Sequence, residues 1–314
     1  MARSIGLVAA EHIAAGAVED HRLIGEVRRF GADSEDNDQG GGDVLRGMPA
    51  EELVQKLAAE AHALAAGSAL EAVGIAVPGI VRSGVVEESP NLPQLKGLEI
   101  EAGMREALAQ YGYRPRVTVS NDADVVAAGI AATRGGLDRL VRVWTLGVGI
   151  GFGHYPLAEG IWEGGHTVVS LDPNENFCGC GGRGHLEGIM GRRAMRLRFL
   201  DREPEEVFAA ARGGPGASPD PRCAEFVILW HRALAAATAT SIHLEGAGRF
   251  YITGMNARFV NLDFLNRCVQ EMVKLSPLQS FVFEVVPHSD EIAVIGAAVN
   301  ALPAEARAPV AEPR

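Results

Sequence analysis

The chain has 314 residues and a formal net charge of −11 at pH 7. This length exceeds what one small hydrophobic core can serve, so one large domain or two moderate domains are expected. Hydrophobic residues make up 47% and charged residues 22% of the chain, as in ordinary globular proteins, and the acidic balance argues against nucleic acid and anionic lipid as general partners.

No signal peptide or membrane span is predicted. The apolar start of the chain is interrupted by Glu11 and His12, and the apolar stretch 226–244 contains His231 and Arg232. These polar residues favour a turn between two strands in the first case and a buried helix in the second. We therefore expect a cytoplasmic protein without a membrane partner.

The predicted elements alternate between strands and helices along the N-terminal half. In chain order they are strands at 4–9 and 13–18, an acidic glycine-rich loop at 33–43, a helix at 49–66, a strand at 73–79 that ends in a Pro-Gly turn, a helix at 100–111 and a strand at 115–120. The helix at 49–66 is indicated by the helical spacing of Leu53, Leu57, Ala61 and Leu64.

The same alternation continues to the C-terminus. It comprises a helix at 123–134, a strand that runs into a glycine-rich turn at 141–153, helices at 186–200 and 223–245, a strand at 250–253, a helix at 261–275, a strand at 281–285, a last helix at 291–301 and a frayed tail at 304–314. This order predicts an α/β fold with largely parallel sheets.

Four residues with short spacing indicate a metal site: His166, Cys178, Cys180 and His185. Two sulfur and two nitrogen ligands suit tetrahedral zinc, and a site filled by four protein ligands is structural. The alternative is a reduced cysteine pair in a flexible loop with two incidental histidines. The other cysteines, Cys223 and Cys268, stand alone and are expected to be small buried apolar residues.

Asn121 and Asp122 follow the strand at 115–120. A carboxylate at the end of such a strand lies where α/β proteins bind ligands and can accept a proton from a substrate hydroxyl, while the neighbouring amide can hold a second hydroxyl. The alternative is that Asp122 only caps the helix at 123–134.

Three further patterns carry weaker signals. Glu163, His166 and Glu187 can bind sugar hydroxyls, or the carboxylates can be ordinary surface groups.

The turn in TLGVGIGFG, residues 145–153, can approach phosphate through backbone N–H groups, or it can be a simple hairpin turn. The run Arg192, Arg193, Arg196 and Arg198 is interpreted as a solvated helix face.

These patterns occur together in an order that resembles the ROK (repressor, open reading frame, kinase) family of bacterial sugar kinases and related repressors. The matching segments are VGIAVPGIV at 73–81, SPNLPQLKG at 89–97, VSNDADVVAAG at 119–129, TLGVGIGFG at 145–153, EGGH at 163–166, CGCGGRGHLE at 178–187, ITGM at 252–255 and IGAAVNAL at 295–302. They cover nearly the whole chain, and the cysteine and EGGH segments are the most specific.

The resemblance implies an actin-like, hexokinase-like fold of two α/β domains with a cleft between them. The smaller domain would comprise 1–118 with 291–314, and the larger domain, 119–290, would carry the zinc loop. The resemblance makes Asp122 the general base and gives the sugar contacts as Asn91, Asn121, Glu163, His166 and Glu187. It places Gly147, Gly149, Gly151 and Gly254 on the nucleotide loops, and it implies structural zinc, Mg-ATP and a homodimer.

The chain departs from the family pattern at three positions. The family usually has a cysteine where this chain has His185, which is still an acceptable zinc ligand. Family kinases carry Asp-x-Gly-Gly-Thr in the first strand and turn, but the Asp position falls on Val8 and the Gly-Gly-Thr is missing. The threonine of the second phosphate loop is Val148, which has no hydroxyl donor.

The chain keeps the sugar-binding and zinc-binding residues of the family but lacks part of its phosphate motifs, and two functions are consistent with this combination. The first is an ATP-dependent kinase of a hexose or related sugar, and the second is a catalytically impaired sugar sensor or scaffold. A different reaction on a sugar or cyclitol stays open. A repressor function is not expected, because the chain is acidic and no DNA-binding segment is predicted.

Overall fold

A computed structural model describes residues 3–31, 42–157, 163–214, 218–274 and 280–303. The chain forms two compact units. The first comprises residues 1–141, 153–161 and 289–314, and the second comprises residues 142–152 and 162–288. The domain boundaries expected from the sequence stay a prediction. The loop predicted at 33–43 lies mostly, and the tail at 304–314 wholly, outside the described residues.

The first unit is built on a five-stranded sheet of β1 (Arg3–Ala9), β2 (Ile13–Glu19), β3 (Arg22–Phe30), β4 (Leu70–Val77) and β7 (Arg116–Asn121). The strand order is β3-β2-β1-β4-β7. Strands β1, β2 and β3 pair antiparallel, whereas β4 pairs parallel with both β1 and β7. The predicted strands at 4–9, 13–18, 73–79 and 115–120 are therefore confirmed.

The remaining elements of the first unit cover this sheet or extend from its edge. They are α1 (Gly42–Gly47), α2 (Ala50–Ala65), the hairpin of β5 (Ile80–Arg82) and β6 (Val85–Glu88), α3 (Ile100–Gln110), α4 (Asp122–Thr133) and α10 (Asp290–Ala301). Helix α2 buries Leu53, Leu57 and Ala61, as its spacing predicts, and two glutamates in its first turn suit the helix dipole.

Helix α10 packs at very short range on the first unit. A Cβ atom at Gly6 or Gly74 would overlap a carbonyl oxygen of α10, and one at Gly129 would overlap the carbonyl oxygen of Ile292 in the same helix. Glycine at these positions lets α10 approach β1, β4 and α4 far more closely than any larger residue would allow. The last helix predicted from the sequence, at 291–301, is thus confirmed as a helix.

A second sheet has four strands, β8 (Val141–Leu146), β9 (Ile150–Tyr155), β10 (Arg249–Thr253) and β11 (Val282–Val285). Their order is β11-β10-β8-β9, and β10 is parallel to both β8 and β11. The second unit contains all of this sheet except Val141 in β8 and residues 153–155 in β9, which belong to the first unit. Its helices are α5 (Leu186–Met190), α6 (Arg192–Arg198), α7 (Pro204–Arg212), α8 (Pro221–Glu245) and α9 (Leu262–Met272). The core contains Trp144, which stacks on Phe152 with ring centroids 4.0 Å apart, and the fully buried Trp230.

Three features of the second unit bear on the sequence predictions. The apolar stretch 226–244 lies within α8, so the predicted buried helix is confirmed. The single helix predicted at 186–200 is wrong: it is interrupted at Gly191, whose extended backbone separates α5 from α6. None of the helices within the described ranges is long and apolar enough to cross a membrane.

The arginine run does not form a solvated helix face, so that interpretation is wrong. Arg192 binds Glu203 and Glu205 and is only 7% exposed. Arg196 binds Glu203, and Arg198 binds Glu175. Three of the four arginines therefore form ion pairs with glutamates of the second unit.

Candidate functional site

Asn121 and Asp122 lie where β7 meets α4 in the first unit. Asn121 is the N-cap: its Oδ1 accepts a hydrogen bond from Ala123 N at 2.8 Å, and its Nδ2 donates to Gly79 O at 2.8 Å. Asp122 is the first residue of α4, and its Oδ1 accepts from Ala123 N at 2.9 Å. The alternative interpretation that Asp122 is the helix cap is therefore wrong, since Asn121 fills that position.

Asn91 belongs to a segment that contacts the same end of the sheet. Ser89 donates a hydrogen bond from Oγ to Pro78 O at 2.8 Å, and Gly79, with φ of 105°, comes too close to Glu88 O for a side chain. The Pro78-Gly79 turn therefore joins the segment that carries Asn91 to Asn121. The Asn91 side chain is exposed.

Glu163, His166 and Glu187 meet in the second unit. His166 Nδ1 lies 3.6 Å from Glu163 Oε2, and its Nε2 lies 4.0 Å from Glu187 Oε1. Glu187, in the first turn of α5, also accepts a hydrogen bond through Oε2 from Ile150 N at 3.0 Å. The three polar residues thus form one cluster, as required of groups that bind one polyhydroxyl ligand.

Burial shifts the pKa of two titratable groups at this cluster toward the neutral form. Removal from water raises the pKa of Glu163, His166 opposes that rise, and the Glu187 carboxylate adds to it. Partial burial lowers the pKa of His185, and His166 lowers it further. Neutral imidazole is the form that binds a metal ion.

The four residues predicted to bind zinc also come together. One ligand atom from each of His166, Cys178, Cys180 and His185 lies within 4.8 Å of all the others. The two sulfur atoms are 3.3 Å apart, and Cys180 Sγ is 3.3 Å from His185 Nδ1. Tetrahedral zinc with bonds of about 2.0–2.3 Å needs ligand atoms roughly 3.3–3.8 Å apart, so the set fits after a small contraction.

Glycines shape the loop that holds these ligands. Gly181 and Gly184 have φ of 81° and 68°, a conformation that strains other residues. A Cβ atom at Gly184 would overlap Ser170 O, and one at Gly182 would overlap the His185 ring. Burial raises the pKa of the Cys178 thiol to about 12, so a thiolate at this position needs a neighbouring cation.

The turn between β8 and β9 contains Gly147 and Gly149, and Gly147 N donates to Gly149 O at 3.0 Å. Gly151 lies within β9. Gly254 follows β10 with φ of 97°, and its backbone approaches Leu146 so closely that a Cβ atom would overlap the Leu146 carbonyl oxygen. Three of the four predicted nucleotide-loop glycines therefore lie at the same end of parallel strands β8 and β10.

Sequence reasoning missed Asn256. This residue is fully buried, and its Nδ2 donates to Gly147 O at 3.0 Å. It thereby connects the segment after Gly254 to the turn after β8. A polar residue two positions beyond a glycine turn was the available signal, but its partner lies in a distant segment.

The hairpin of β1 and β2 contains the stretch 5–13, where the resemblance described above would place the first phosphate motif. Ala9 pairs with Ile13, so Ala10, Glu11 and His12 form the turn. His12 Nε2 lies 3.1 Å from Asp290 Oδ2, which also accepts from Arg29 Nε at 2.6 Å. The hydrogen bond to Asp290 raises the pKa of His12, and that to His12 lowers the pKa of Asp290 to about 2.

Comparison with known proteins identifies the class. Residues 46–303 match the ROK family model, so the chain belongs to the ROK family. A glucokinase of Pyrobaculum calidifontis is 27% identical over 261 residues, which cover 77% of this chain and 82% of that relative.

Two solved structures share the fold. The ROK hexokinase from Thermus thermophilus has a TM-score of 0.74 and 22% identity, covering 95% of this chain and 97% of that chain. A ROK glucokinase from Streptomyces griseus, in complex with glucose and AMPPNP, has a TM-score of 0.66 and 22% identity over 94% of this chain and 98% of that chain. The predicted actin-like, hexokinase-like α/β fold is thereby confirmed.

Proposed function

We propose that this protein transfers the γ-phosphoryl group of ATP to a hydroxyl group of a hexose or related sugar. The observation that carries this proposal is the cluster of Glu163, His166 and Glu187, which offers several hydroxyl-binding oxygens beside a glycine turn. Membership of the ROK family, and the glucokinases and hexokinase among its similar proteins, support the substrate class.

Each polar residue has a role in the proposed reaction. Carboxylates of Glu163 and Glu187 accept hydrogen bonds from sugar hydroxyls, and Asn91 and Asn121 hold others. Asn121 retains one N–H and one lone pair for this purpose after its contacts with Gly79 and Ala123. Asp122 takes the proton of the reacting hydroxyl as the new O–P bond forms and the bond from the γ-phosphorus to the bridging oxygen of ADP breaks.

The glycine turns supply backbone contacts to the nucleotide. We assign Gly147, Gly149, Gly151 and Gly254 to these turns, whose N–H groups can approach phosphate oxygens without hindrance from side chains. Zinc on His166, Cys178, Cys180 and His185 would have no open coordination position, so its role is to order the loop.

Val8, at the position of the family's aspartate, does not suit magnesium. Magnesium requires oxygen ligands, and the Val8 side chain offers none. Val148 likewise lacks the hydroxyl that could contact a phosphate. This loss favours a second candidate function, a sugar-binding sensor or scaffold with impaired catalysis.

A coupled assay of ADP release over a panel of neutral and amino hexoses tests the kinase proposal. We expect turnover with at least one sugar, and a decrease of roughly 10² to 10⁴ in kcat for Asp122→Asn if Asp122 is the base. Asp263→Asn, in the first turn of α9, is a matched control for the loss of a carboxylate near a helix start. Wild-type turnover no higher than that of Asp122→Asn would refute the kinase.

Calorimetry distinguishes the two candidate functions. Sugar binding without Mg-ATP binding would support the sensor, whereas tight Mg-ATP binding would reject it. A homodimer, a cytoplasmic location and the absence of nucleic acid partners stay predictions, which light scattering, cell fractionation and a DNA-binding assay can test.

A further inference from the structure

Helix α6 contacts the turn between β8 and β9, residues 147–149, through its N-terminal end. We call this turn the glycine turn. Arg192 N donates to Gly147 O at 3.1 Å, and Arg193 N donates to Val148 O at 3.4 Å. The first N–H groups of a helix have no partner within the helix, so these bonds satisfy two of them. The same Gly147 oxygen accepts the Asn256 amide, so the turn is held from two sides.

The C-terminal end of α6 contacts the loop that carries three of the four proposed metal ligands, Cys178, Cys180 and His185. We call this loop, residues 172–185, the metal loop. Arg198 binds Glu175 through both guanidinium Nη atoms, with Nη1 3.0 Å from Oε1. Its guanidinium also lies 4.4 Å from the ring centre of Phe177. The Arg198 and Glu175 side chains are 17% and 9% exposed, so this pair is largely shielded from solvent.

Glu175 extends this contact to the ligands themselves. Its backbone carbonyl accepts a hydrogen bond from Gly184 N at 2.6 Å, and Gly184 immediately precedes His185. The side chain of Glu175 therefore fastens the start of the metal loop to α6, while its backbone fastens the end. This closes the loop just before a proposed metal ligand.

We propose that Arg198 is a positioning residue for the metal loop, and that α6 holds this loop and the glycine turn in one fixed arrangement. This inference rests on the proposed metal site and kinase function. Arginine suits the role because its planar fork binds a carboxylate at two points and its face stacks on an aromatic ring. An unpaired, shielded Glu175 carboxylate would instead draw water and loosen the loop.

The test compares Arg198→Met with Arg249→Met in the zinc-loaded full-length protein. Arg249 is a matched control, because it also forms an ion pair with a glutamate, Glu284. Its side chain is 54% exposed, and it is distant in sequence from both the metal loop and the glycine turn. Zinc release to a chromogenic chelator and hydrogen exchange of peptides covering 145–153 and 172–185 are measured. Neither measurement depends on kinase activity.

We expect Arg198→Met to weaken zinc binding by about tenfold or more, a range typical for loss of residues that support metal ligands. Exchange should increase in both peptides, and Arg249→Met should behave as wild type. Arg198→Lys, which keeps the charge but loses the fork, should lie between wild type and Arg198→Met. If Arg198→Met does not fold, Glu175→Gln carries the same test, because it removes the charge but keeps the backbone contact to Gly184.

Two results would overturn the inference. Unchanged zinc release and exchange in Arg198→Met would show that Arg198 positions nothing. Increased exchange in 172–185 alone would show that α6 does not connect the two segments. A wild-type protein that binds no zinc would reject the metal role, while a kinase-negative protein that shows the expected zinc and exchange changes would reject only the proposed activity.

Discussion

The carboxylate of Glu187 accepts a hydrogen bond from the backbone N–H of Ile150 at 3.0 Å. Ile150 is the first residue of β9, directly after the glycine turn, and Glu187 also faces His166 and Cys178. The Glu187 side chain therefore contacts both the strand that follows the glycine turn and the cluster proposed to bind sugar and metal.

Replacement of Glu187 tests this double role. Glu187→Ala should lower kcat/KM for the sugar by roughly 10² to 10⁴. It removes two charge-assisted hydrogen bonds, one from Ile150 N and one from the sugar hydroxyl, which together contribute about 3–6 kcal/mol. Glu187→Gln should lose less, since an amide oxygen can still accept from Ile150. The exposed Glu225 on α8 provides a control, Glu225→Ala, and a Glu187→Ala enzyme as active as this control would refute the assignment.

Metal analysis tests the zinc site. We expect about one zinc per chain, and Cys178→Ser should lose it together with thermal stability. Cys223→Ser replaces a buried cysteine outside the cluster and should keep its zinc. Elemental analysis and the Tm before and after chelation provide the measurements. A folded, metal-free wild-type protein whose Tm is indifferent to zinc would contradict the site.

Val148→Thr tests whether the second phosphate loop has lost function. The Val148 side chain is 44% exposed, so threonine of nearly the same shape fits without displacement. One hydroxyl donor to a phosphate contributes about 1.5–3 kcal/mol, and kcat/KM for ATP should rise by about tenfold or more. Val168→Thr, at a position that is 56% exposed, is the control. An equal effect in both variants would exclude a specific contact with ATP.

The His12–Asp290 pair makes stability depend on pH. The pKa of His12 is raised above 6.5, so its contribution is complete below about pH 6.5 and is lost as pH rises through the folded-state value. The pKa of Asp290 is lowered from 3.8 to about 2, so its contribution is present above 3.8 and is lost as pH falls toward 2. The pair therefore stabilises most between these limits.

Urea unfolding of Asp290→Asn can measure this dependence. The variant should lose about 1 kcal/mol more free energy of unfolding near pH 5.5 than near pH 9, where His12 is neutral. Arg29 also binds Asp290 and stays charged at both pH values, so its contribution cancels in the difference. In a His12→Gln background the pH dependence of the Asp290→Asn effect should disappear, and its persistence would assign it to other groups.

Local patterns predicted most of the fold. The periodic apolar residues of α2 and the long apolar face of α8 are visible in the sequence, and both helices lie where they were expected. Strand β3 was not predicted, because it is an edge strand whose residues are mostly exposed and which carries arginines instead of alternating apolar residues. The break at Gly191 was also missed, because Arg192 N bonds to the distant Gly147 rather than within the helix.

In the candidate site, too, contacts between residues close in sequence could be predicted and contacts between distant residues could not. The meeting of the four proposed zinc ligands could be predicted, because all four lie between residues 166 and 185 and their short spacing suggests it. His12 and Asp290 are 278 residues apart, and neither lies in a motif that identifies the other. Asn256 and Arg198 likewise depend on contacts that only the folded chain reveals.

Helix α10 packs closely against Gly6, Gly74 and Gly129, so the first unit can complete its fold only after this last helix has been translated. A ribosome produces β1, β4 and α4 early, but the helix that covers them is translated after every residue of the second unit. Until then the first unit exposes an apolar surface to chaperones and to other nascent chains. We therefore expect a premature stop codon anywhere before residue 290 to destabilise the first unit, because it removes the helix that packs on β1, β4 and α4.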